Sequence, residues 1–160
     1  MKKLLIIFVI ITSINTYSQR SDFWRNVRFG GGFTLGFGNQ TTIGVSPSAI
    51  YNFDNGFAVG AGLGYLYSEI NDFTTNLYST SLIGLYQTNF GVQFSSDFDY
   101  HFANQSDFNG GTFRTNFPAL HLGLAYNHGR FAFGLRYDVL YDENKSFFAS
   151  PFSPVIRFYF

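Results

Sequence analysis

Apolar and polar side chains alternate one by one along most of this chain. From residue 131 to 141, Phe131, Phe133, Leu135, Tyr137, Val139 and Tyr141 fall on one side, and Ala132, Gly134, Arg136, Asp138 and Leu140 on the other. Successive strand side chains point to opposite faces, so this period of two predicts an extended segment with one greasy face and one small or polar face. The same split recurs over 27–37, 43–53, 57–67, 90–102, 118–126 and 152–160. Residues 78–86 make an eighth segment by spacing, although Ile83 and Leu85 share a face with Ser79 and Ser81.

The connections alternate as well. Residues 54–56, 87–89 and 127–130 read as tight hairpin turns, two of them with Asn or Gly at the bend. Longer polar loops are expected at 68–76, 103–111 and 142–150, and a short link at 38–41. With no helical crossover, the strands must run antiparallel in an up-and-down meander. Arg114 and Asn116 break the parity ahead of Pro118, which predicts a bulge or an extracellular extension there.

The N-terminus follows a different pattern. Lys2 and Lys3 precede an unbroken apolar run over 4–11 and a more polar stretch over 12–18. That is the layout of a secretory signal peptide, expected to be cleaved after Ser18, and the run is too short to span a bilayer as a helix. The barrel domain is then 19–160. It carries eight Lys and Arg against ten Asp and Glu, a net charge of −2, too mild to name a partner.

Composition decides which way the greasy face points. The chain holds 22 Phe, 11 Tyr and 17 Gly, with 12% charged residues against roughly 25% in an ordinary soluble domain. This excludes a disordered chain, a coiled coil and a basic nucleic-acid binder. The absence of Cys excludes a disulfide scaffold and a thiolate metal site. The apolar face carries most of the rings, while Gly30, Gly32, Gly36, Gly44, Gly60, Gly62, Gly64, Gly91, Gly123 and Gly134 lie on the other. An eight-stranded barrel has an interior only just wide enough for side chains to fill, so the rings belong outside and the glycines inside. Aromatics flank both ends of the strands, with Ala61, Leu63, Leu82, Leu122, Leu124 and Leu135 between them. Two aromatic belts around an aliphatic middle predict an all-β, eight-stranded antiparallel up-and-down transmembrane β-barrel.

At the C-terminus, Ser153, Phe158 and Phe160 supply a polar residue and two alternating aromatics that finish the chain, with Val155 where a glycine is usual. With these residues, the chain after Ser18 resembles the small eight-stranded outer-membrane β-barrels of Gram-negative bacteria, in the manner of the transmembrane domain of outer-membrane protein A. The resemblance implies outer-membrane lipid as the surroundings and the barrel-assembly machinery as a partner during insertion. It also implies periplasmic chain ends and outward-facing long loops.

The face assigned to the lumen carries Arg28, Arg136 and Arg157 against Asp97, Asp99 and Asp138. Buried charge without a partner is costly, so these six are expected to form a network of ion pairs that plugs the lumen. His101 and His121 point the same way and read as polar lining. An acid–histidine pair can activate water, but Ser106 and Asp107 nearby form no recognisable catalytic motif. No cofactor, metal or catalytic residue is therefore expected. The expected function is a non-enzymatic envelope element, or a small subunit of a larger outer-membrane complex. The alternative is a narrow channel or a carrier for small or hydrophobic solutes.

Overall fold

The computed structural model describes residues 22–36, 41–70, 73–107, 111–142 and 150–160. The expected signal peptide lies outside these residues. A short helix α1 (Asp22–Asn26) leads into eight strands: β1 (Val27–Gly36), β2 (Thr41–Asn52), β3 (Phe57–Ile70), β4 (Phe73–Gln87), β5 (Val92–Asp107), β6 (Thr112–His128), β7 (Phe131–Asp138) and β8 (Phe152–Tyr159). Each strand pairs antiparallel with the next, and β8 returns to β1 to close a barrel. The expected all-β, up-and-down architecture is what the chain adopts.

Strand ends differ from the sequence reading. The loop expected at 68–76 is mostly a hairpin, paired from Tyr67–Asn76 up to Ile70–Phe73. Strands β5 and β6 keep one unbroken register from Val92–Tyr126 to Ser106–Thr112, so Arg114 and Asn116 belong to an extension and not to a bulge. These stretches are polar on both faces, which leaves no alternation to read. The turn after β4 also sits later than expected. Thr88 Oγ1 donates to the Val92 carbonyl at 2.7 Å, and Gly91 takes the left-handed φ of 89° that the reversal needs. Phe90 is therefore in the turn and not in a strand. In the opposite sense, β7 stops at Asp138, short of the expected Tyr141. The wall formed by β3 to β6 consequently stands taller than the wall formed by β7, β8 and β1.

The two faces separate by bulk. Leu63, Leu82, Leu124 and Leu135 are exposed on the outside, between cross-strand ring pairs at both ends. Phe57–Tyr86 and Phe131–Phe158 pair toward the tight turns, with centroids 4.6 and 4.9 Å apart. Tyr65–Tyr78 and Tyr137–Phe152 pair toward the other end, at 5.2 and 5.0 Å. Helix α1 adds Phe23, stacked on Tyr51 at 5.0 Å, and Trp24 edge-on to Phe23.

The inside is not only glycine and charge. Ile83 and Leu85 do point inward with Ser79 and Ser81, which explains the irregular pattern of β4. Ile50, Ala58 and Leu85 pack with Ile83 and Tyr159 near the tight turns. Ala125, Ala132 and Val155 form a second cluster. Leu66, Leu77 and Ala103 pack with Phe117 toward the opposite end. Polar groups are thus sandwiched between apolar layers.

Candidate functional site

Strict alternation turns Asp97, Asp99 and His101 of β5 to the same face, and cross-strand register sets His121 of β6 opposite Asp97. His121 in turn stands opposite Asp138 of β7. Arg157 arrives from β8, and Arg136 sits between Gly123 and Ser153 in the pairing of β6, β7 and β8. Four strands therefore bring these side chains into one lumen.

Within it, the guanidinium of Arg157 donates through Nη2 to Asp97 Oδ2 and, at 3.4 Å, to Ser95 Oγ. Asp99 Oδ2 lies 2.9 Å from His121 Nδ1. Arg136 is anchored through Nε, which donates to Ser153 Oγ at 2.9 Å. The ring of His101 is buried, with its centroid 5.0 Å from that of Phe117 across the strand pair. Among the described residues, no three His, Asp or Glu side chains converge as a metal would require.

Two members of the expected network stand apart. Arg28 shares the inward face with its partner Ile50, but it is the second residue of β1 and lies exposed at the mouth beside the tight turns. Asp138 is buried, yet its Oδ1 accepts from the backbone nitrogens of Leu120 and Leu140 at 3.1 and 3.0 Å. It satisfies the chain where β6–β7 pairing stops. Of the C-terminal residues, Ser153 faces in toward Arg136, while the tilted rings of Phe158 and Phe160 lie 5.7 Å apart in the ring belt.

The sequence reading missed an amide cluster that closes the tight-turn end. Asn127 Nδ2 donates to Gln87 Oε1 at 2.9 Å, and Gln93 Nε2 donates to the same oxygen at 3.3 Å. Gln87 Nε2 donates onward to the Thr88 and Val92 carbonyls. Gln93 falls on the polar face of the segment expected at 90–102, whereas Gln87 falls in the turn expected at 87–89. The reading also gave no role to the serines. Ser46, Ser48, Ser79 and Ser81 line a cavity of about 100 Å³ together with Asp97, Asp99, His101, Arg136, Arg157 and Tyr159. Its wall does not include Ser95 or the amide cluster. No protein-family model, curated protein or solved structure matches this chain.

Proposed function

We propose that this chain is an integral outer-membrane β-barrel without catalytic activity, serving as an envelope structural element or as a small subunit docked to a larger outer-membrane assembly. The observation that carries this reading is the inverted distribution of bulk: leucines and rings stand exposed around a closed barrel whose charges are buried inside. In water that surface would be a large unpaid apolar area, whereas in a bilayer it is the matching one. Between the two ring belts no outward position carries a charge; Glu69 and Arg114 stand beyond them. The closed barrel also leaves no unpaired sheet over most of its circumference, as a lipid-facing sheet requires.

The filled layers at both ends of the lumen favour a plug over a continuous aqueous path. The cavity between them favours the carrier alternative, in which a small or amphipathic solute is held without passing straight through. Extraction of membranes from cells expressing the full chain tests the main reading. The protein is expected to stay with the outer-membrane fraction through alkaline carbonate washing, and release into the soluble fraction would overturn the assignment. A stoichiometric protein retained on mild detergent solubilisation would identify the assembly.

A further inference from the structure

The barrel closes by its weakest contact. Strands β1 and β8 pair only at Gly30–Tyr159, Gly31–Phe158 and Gly32–Arg157, with one further bond from the Phe160 nitrogen to the Phe29 carbonyl. Yet β1 continues to Gly36 along β2, and β8 begins at Phe152 along β7. Among the described residues, no backbone pair joins 33–36 to 152–156. The proline in this stretch removes one of the bonds that would close it. Since the Phe160 amide faces β1, alternation turns the even-numbered nitrogens of β8 toward β1. Carrying the register upward sets Pro154 opposite Leu35, where its nitrogen has no hydrogen to donate.

The unpaired stretch borders the lumen cavity. Phe33, Pro154 and Ile156, of the outward-facing set, line it with Asp97, Asp99 and Arg136, as do Val45 and Tyr65 beside a second break, where the β2–β3 register skips 46–47 and 63–64. Ser46, inward-facing opposite Gly32, is exposed at that second break. The level of the seam follows from β7: Pro154 pairs with Leu135 in the aliphatic middle, and Phe152 with Tyr137 in the upper ring belt.

Unpaired backbone within hydrocarbon persists only where it lines a polar or water-filled space. Here that space contains serine hydroxyls and Arg136, whose Nε donates to Ser153 Oγ. We infer that the seam between β1 and β8 is a lateral portal, through which the small oxygen-bearing head of a single-chain amphiphile enters the lumen cavity while its tail stays in the surrounding lipid. This rests on the membrane reading above and specifies the ligand class of its carrier alternative.

The chain has no cysteine, so single thiols can be placed and labelled in lipid vesicles with dodecyl methanethiosulfonate, an alkyl chain with a sulfonyl head. Ser79→Cys places a thiol in the cavity wall, Thr80→Cys places one on the outside of the same strand, and Ser95→Cys places one in the buried interior beneath the cavity. The portal predicts labelling at residues 79 and 80 but not at 95. It also predicts that Pro154→Val, which restores a donor facing β1, slows labelling at 79 by about five- to tenfold, as one regained backbone hydrogen bond would. Labelling at 80 in the same background should be unchanged, which also reports that the variant is folded. If Pro154→Val does not fold, added dodecanoate should slow labelling at 79 and leave 80 unaffected. Labelling at 80 with 79 as slow as 95 overturns the portal and leaves the membrane reading standing. The portal also fails if Pro154→Val and dodecanoate leave residue 79 unaffected, or if the water-soluble reagent ethyltrimethylammonium methanethiosulfonate labels it faster than the alkyl one. Labelling at 80 by the water-soluble reagent as fast as by the alkyl one overturns the membrane reading, and the portal with it.

Discussion

Removing Asp97 from its pair with Arg157 should be among the most damaging single changes in this barrel. Asp97 is 3% exposed and Arg157 7%. Asp97→Ala leaves the guanidinium with the long contact to Ser95, and Arg157 Nη1 already has no hydrogen-bond partner among the described residues. Stranding one ion of a buried pair costs about 3–5 kcal/mol. The neighbouring cavity lets water approach and relieve part of this, so a value of about 3 kcal/mol is expected. Asp97→Leu combined with Arg157→Met removes both desolvation penalties at similar volume. A buried pair replaced in that way is typically neutral or more stable, so the double variant should recover most of the loss. Equilibrium unfolding in urea from lipid vesicles would measure this, with Trp24, the chain's one tryptophan, as the fluorescent reporter. A loss below about 1 kcal/mol for Asp97→Ala, the worth of an exposed pair, would refute the reasoning. So would a double variant whose loss equals the sum of the two single ones.

Three further outcomes are expected. Leu122→Arg places a charge on an outward position in the aliphatic middle and should cost about 2–4 kcal/mol in vesicle unfolding, whereas Thr115→Arg, in the polar extension of β6, should change stability little. Gly134→Ala should cost about 1–3 kcal/mol by the same measurement, because the added Cβ would meet Ala125 Cα at 2.5 Å and its Cβ at 2.7 Å inside a packed cluster. In planar bilayers the wild-type chain should show no stable single-channel steps, given the filled layers around Ile50, Leu85 and the Gln87–Gln93–Asn127 cluster; regular steps that vanish with Arg136→Met would refute the plug.

Alternation made the barrel legible wherever one face is bulky and apolar and the other small or polar. Strand β7 is the clear case, with Phe131 to Tyr137 outside and Ala132 to Asp138 inside. The method fails for physical reasons where that contrast vanishes. In β4, Leu77, Ile83 and Leu85 are turned inward to fill the lumen, so both faces look greasy. Above the ring belts, 103–107 and 112–116 carry polar residues on both faces, and two long paired strands read as a loop. Among the charges, parity assigns a face but carries no information on height. It could not separate Arg28, at an open mouth, from Arg157, in the closed centre. Nor could it show that Asp138 would serve the backbone where β7 ends.

Pro154 combines both lessons. It keeps the outward parity of β8 and so does not disturb the two-residue period, yet its missing hydrogen lies on the one edge that has to close the barrel. A side-chain pattern records which face a residue takes, whereas barrel closure depends on which neighbour its amide addresses. The two alternate together along a strand, so a proline that is harmless to the first can open the second. That is why this chain reads as a fully closed barrel, while its structure pairs β1 to β8 over only three residues of register.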